Sequence, residues 1–83
     1  MKENTEQLTR LVLTVHRRNG GDLTGLDLDW PLQARELALD SMDLAEIMVA
    51  VEREFGVEPF NAPVPPRTWR ELLALIEGSG SNP

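Results

Sequence analysis

The sequence predicts an all-α fold. It reads as a small antiparallel bundle of three main helices, with room for a short fourth, and a long loop between the first and second. Two observations carry this reading. Apolar residues recur at helical spacing in three separate stretches: Leu8, Leu11, Val12 and Val15; Leu44, Ile47, Met48, Val51 and Phe55; Trp69, Leu72, Leu73 and Ile76. Apart from the five residues Leu26 to Trp30, the chain shows no alternation of apolar and polar residues as a half-buried strand would. At 83 residues, without an internal repeat, it reads as one domain over 1–78 with a flexible tail over 79–83.

The first stripe predicts a helix over roughly residues 4–18, with Asn4 as its cap and Gln7 as the capping-box partner. Arg17 and Arg18 fall in its last turn, where the helix dipole favours cations, and Asn19-Gly20-Gly21 ends it. His16 lies beside the stripe. It is the only histidine, so a histidine-rich metal site is excluded and the residue reads as a boundary or surface group.

Residues 20–39 form a connection too long to stay ordered without anchors. Leu23, Leu26, Leu28, Trp30, Leu32 and Leu37 can supply them, and residues 32–35 can make a helical turn after Pro31. The second helix is predicted over 41–55, stopped by Gly56. Asp40 suits its N-cap, with Ser41 and Asp43 in the first turn. Met48 reads as core. Residues 57–67 hold Pro59, Pro63, Pro65 and Pro66, so no regular helix can run through them. The last helix should start at Thr68, with Glu71 completing a capping box, and end near Glu77-Gly78.

Composition narrows the function classes. A net charge of −6 argues against nucleic acid as a partner, because phosphate binding needs clustered Lys and Arg. No apolar run is long enough to span a membrane, and the first residues lack an apolar signal region. A cytoplasmic monomer is the expectation. With no cysteine the chain has neither disulfide nor thiolate metal ligand, and any thioester it bears must hang from an added group.

The stretch Leu37-Ala38-Leu39-Asp40-Ser41-Met42 separates the irregular half from the second helix. A helix N-terminus offers unpaired backbone N–H groups and the positive end of a dipole, which favour a phosphate. Asp-Ser at such a place is by itself only a cap pair. Here it runs directly into an acidic helix ending Glu52-Arg53-Glu54-Phe55-Gly56. This combination, from Leu37 to Val57, resembles the acyl carrier protein family, in which an Asp-Ser-Leu step opens an acidic helix with a similar ending. The flanks agree with that family in helix placement and in the long loop.

The resemblance implies that Ser41, next to Asp40, carries 4′-phosphopantetheine, delivered from coenzyme A by a phosphopantetheinyl transferase. It further implies that the arm holds an acyl or aminoacyl group as a thioester and presents it to loading and synthase enzymes of fatty-acid, polyketide or related biosynthesis. Because the second helix begins at that serine, its outer residues Met42, Asp43, Ala45, Glu46, Val49, Glu52 and Arg53 are expected to meet partners. Arg53 stands where carrier proteins often have another acid, and so would narrow the range of partners. Two departures are visible. Ala38 stands where members commonly have glycine, and the proline-rich segment replaces a short third helix.

Catalysis by the chain itself is not expected. A serine nucleophile needs a base within reach and an oxyanion site. The only histidine lies on the first helix, and no Gly-x-Ser-x-Gly elbow is present. The competing reading is a cofactor-free acidic adaptor that binds a partner through exposed Met42 and Val49 and makes no use of Ser41.

Overall fold

The computed structural model describes residues 2–80, without the side chains of residues 2, 79 and 80. It contains three α-helices: α1 (Lys2–Arg18), α2 (Ser41–Phe55) and α3 (Trp69–Gly80). Single 3-10 turns lie at Arg35–Leu37 and Pro59–Asn61. Among the described residues there is no strand, only an isolated bridge between Pro31 and Thr68. No helix among them is long and apolar enough to cross a membrane.

The periodic stripes become the core. Leu8, Val12 and Val15 of α1, Ile47, Met48 and Val51 of α2, and Trp69, Leu72, Leu73 and Ile76 of α3 are all buried. Leu11, Leu44 and Phe55 pack at its margin. α1 contacts both other long helices. In a domain this small, full burial of these side chains supplies most of the driving force.

Helix ends differ from the predictions in instructive ways. α1 runs from Lys2, so Asn4 lies inside the helix instead of capping it. Its C-terminus closes as a Schellman turn: the Gly21 N–H reaches the His16 carbonyl at 3.0 Å and the Gly20 N–H that of Arg17 at 2.9 Å, with Gly20 at φ 95°. α2 ends at Gly56, φ 73°, as predicted. At the start of α3 the Thr68 hydroxyl accepts the Glu71 N–H at 3.1 Å, but the Glu71 carboxylate takes the N–H of Arg67 at 2.8 Å, one residue earlier than in a standard capping box. α3 continues past the predicted end to Gly80; residues 81–83 of the expected tail lie outside the described residues.

The long loop is held to the core along its length. Leu32, Ala34, Leu37 and Leu39 are buried, and Leu23, Leu26, Leu28 and Trp30 pack against them. Its helical turn lies at Arg35–Leu37, later than expected: residues 31–34 close a separate turn, with the Ala34 N–H on the Pro31 carbonyl at 3.0 Å, and the Leu32 N–H is bound to the Arg67 carbonyl at 3.0 Å, where the loop meets the segment leading into α3. There the Leu28 carbonyl accepts the Arg70 N–H at 2.8 Å and the Trp30 carbonyl the Trp69 N–H at 3.4 Å. The loop thereby satisfies N–H groups that the first turn of a helix leaves without partners.

Candidate functional site

The start of α2 is fixed by a reciprocal cap. The Asp40 carboxylate accepts the Asp43 N–H at 2.8 Å, and the Asp43 carboxylate accepts the Asp40 N–H at 3.2 Å. Ser41 therefore opens the helix in a defined geometry, and its side chain is exposed. The N–H groups of Ser41 and Met42 find no acceptor among the described residues. An accessible hydroxyl beside two open N–H groups, at the positive end of a 15-residue helix, suits a phosphodiester.

The backbone just before this point is strained. Ala38 adopts φ 52°, ψ 42°, the left-handed conformation, and is the only non-glycine residue among those described to do so. Glycine adopts this conformation without penalty, whereas a Cβ there costs about 1–2 kcal/mol. The chain keeps the tight turn even though Ala38 replaces the glycine that the resemblance leads one to expect.

His16 corrects the sequence reading: it is 4% exposed, and the core closes over it. Its Nδ1 donates to the Leu37 carbonyl at 2.9 Å, and its Nε2 accepts the Leu23 N–H at 3.2 Å. These partners define a neutral ring protonated at Nδ1. The Arg17 guanidinium holds the Leu23 carbonyl at 3.1 Å, so both backbone groups of Leu23 are gripped from the end of α1. Gly21 lies against the ring so closely that a Cβ there would fall 2.1 Å from its atoms. Both ring nitrogens are engaged with the backbone, which leaves His16 no part as a base for Ser41.

The expected partner face of α2 divides in two. Asp43 and Glu46 turn toward the end of α1. Arg18 forks onto both Glu46 oxygens at 2.8 and 2.7 Å and lies 4.0 Å from Asp43, while the Asn19 amide donates to Asp43 at 2.7 Å. The Arg18 guanidinium, by hydrogen bond and charge, holds the Glu46 carboxyl below its ordinary value. The Asp40 N–H, aided by Asn19 and Arg18, does the same for Asp43. Ala45, Met48, Val49 and Glu52 instead face the Pro59–Asn61 turn, and with Glu58 and Phe60 they line an open groove. Met42, Val49 and Phe60 are 80%, 55% and 56% exposed, and Arg53 is exposed as well. Phe60 was missed by sequence reasoning, since the prolines around it obscured the turn that presents it.

Comparison with known protein families fits this architecture. A family model described as phosphopantetheine attachment site matches residues 6–61, which span α1, the long loop, α2 and the Pro59–Asn61 turn. No curated protein and no solved structure matches significantly. The fold and this match define a carrier domain, one that bears 4′-phosphopantetheine covalently. The chain belongs to the phosphopantetheine attachment-site family, among the acyl carrier proteins. Such domains work by interacting with the enzymes that modify them and with synthases, and are generally not catalytic themselves.

Proposed function

We propose that Ser41 is the residue that bears the arm and that the protein shuttles an acyl or aminoacyl thioester between loading and synthase enzymes. The observation that supports this best is the exposed Ser41 hydroxyl at the capped start of α2, beside unpaired N–H groups. The arm supplies the thiol on which the cargo travels. The chain supplies the rest. Asp40 and Asp43 fix the backbone of the first turn from which the hydroxyl projects, the dipole of α2 offsets the charge of the phosphodiester, and the groove that begins at Ala45, one turn further along α2, offers apolar contact at Val49 and Phe60. Fatty-acid, polyketide and related biosyntheses all use carriers of this kind, and the reading extends to any of them.

Incubation with coenzyme A, Mg²⁺ and a broad-specificity phosphopantetheinyl transferase, followed by intact mass measurement, tests the assignment. The parent protein should gain one phosphopantetheine and Ser41→Ala none. Alanine is a good helix former and Asp40 still caps the helix, so the variant should keep its helicity within about 0.5 kcal/mol of the parent. Labelling that persists in Ser41→Ala would place the arm elsewhere. A parent that gains nothing would favour the cofactor-free adaptor.

A further inference from the structure

We propose that Arg18 is a specificity-determining residue of this carrier: it occupies the Glu46 carboxylate and flanks that of Asp43, both in the first turns of the helix that Ser41 opens, where a partner's cations would otherwise reach them. The inference rests on the reading of Ser41 as the attachment site. An enzyme acting at Ser41 must approach the first turns of α2, where the nearest carboxylates belong to Asp40, Asp43 and Glu46. All three are already engaged. Asp40 is committed to the cap, both Glu46 oxygens hold the Arg18 fork, and Asp43 receives the Asp40 N–H and the Asn19 amide with Arg18 close by.

The arrangement competes with a partner and does not block it. Arg18 and Glu46 are each about half exposed, at 53% and 51%, so the guanidinium can be displaced. Displacement is not equally easy for every partner. A guanidinium fork matches a carboxylate with two parallel hydrogen bonds, and a lysine ammonium offers one point of charge. A partner presenting a lone lysine at this corner therefore meets a better-fitting competitor, while one presenting an arginine can exchange on equal terms. Left outside the shield are Glu52 and the apolar groups of the groove, Val49 and Phe60, together with the exposed Met42 that follows Ser41. The favoured partner places an apolar side chain in that groove and its cation near Glu52, or brings an arginine to Glu46. Self-pairing of this kind acts against wrong partners as much as it favours the right one.

The test measures kcat/KM for arm transfer from coenzyme A to the parent, Arg18→Gln, Arg18→Lys and Arg10→Gln, at low and high salt. In the step itself the Ser41 oxygen forms a bond to phosphorus, the pyrophosphate P–O bond of coenzyme A breaks, the hydroxyl proton passes to a base of the transferase, and the nucleotide half leaves. A transferase with a basic docking surface should modify Arg18→Gln about three- to tenfold faster than the parent at low salt, through a lower KM, and the gap should close at high salt. Arg18→Lys should fall between. Arg10→Gln makes the same change in net charge further back on α1 and should behave as the parent, separating a local effect from a global one. If Arg18→Gln loses helicity, Glu46→Gln replaces it: freeing Arg18 beside Ser41 should slow transfer below the parent rate. Equal rates in parent and Arg18→Gln, or an equal gain in Arg10→Gln, overturn the role of Arg18 while leaving Ser41 in place. A parent that accepts no arm overturns the reading of Ser41, and the role of Arg18 falls with it.

Discussion

The His16 ring donates from Nδ1 to the carbonyl of Leu37, 2.9 Å away, and so ties the last turn of α1 to the loop directly before the strained Ala38. Through Nε2 the same ring holds Leu23, near the loop's beginning. One imidazole thus fastens both ends of the segment that delivers the chain to Ser41.

Gly21→Ala tests that clasp. The added methyl would fall 2.1 Å from the ring, and a ring that yields to it gives up its two backbone hydrogen bonds. At about 1 kcal/mol per bond the variant should lose about 2 kcal/mol. Chemical denaturation measures the loss, and amide hydrogen exchange should show Leu23 losing protection first. Parent-like stability would mean that the ring can be seated elsewhere without cost.

Ala38→Gly should stabilise the protein. It relieves the left-handed strain at φ 52° and returns part of the gain as extra freedom of the unfolded chain. The balance is about 0.5–1 kcal/mol, or a few degrees in Tm for a domain of this size. A lower Tm would show that the loop draws its rigidity from the alanine itself.

Asp40→Ala removes the acceptor of the Asp43 N–H at the start of α2. The expected cost is about 1–2 kcal/mol. With Ser41 in its proposed role, transfer of the arm should slow as well, since the first turn frays. Unchanged transfer kinetics in the destabilised variant would separate the cap from the function.

Acid should weaken the junction between α1 and α2. Asp43 and Glu46 have folded-state values below their ordinary ones. Their contribution is therefore complete above the ordinary carboxylate range and is lost as pH falls through the depressed folded values. Tm should drop on acidification in that range, and less steeply in Arg18→Gln, which lacks the partner that lowers Glu46. Identical slopes would assign the acid loss to other carboxylates.

Much of the fold is legible in the sequence. The stripes around Val12, Val51 and Leu72 located three helices because burial follows periodicity, and Asp40 and Gly56 marked the bounds of α2 because caps act within a few residues. What escaped depends on groups distant in sequence. His16 is buried because Leu37, 21 residues away, offers it a carbonyl, and no local pattern announces that. A hint existed in Gly21, whose missing side chain makes room for the ring. The face of α2 looked uniform because a helical wheel does not show where the end of α1 will lie, and it was Arg18 and Asn19 that divided it.

The backbone link from Trp69 to Trp30 has an optical consequence. These are the only tryptophans in the chain, and they meet where the long loop crosses the start of α3. Trp69 is fully enclosed and Trp30 partly so. Native emission therefore comes entirely from one seam, and a red shift would report its hydration without any attached dye. Any separation of the loop from α3 could be timed by stopped-flow fluorescence on the unmodified protein.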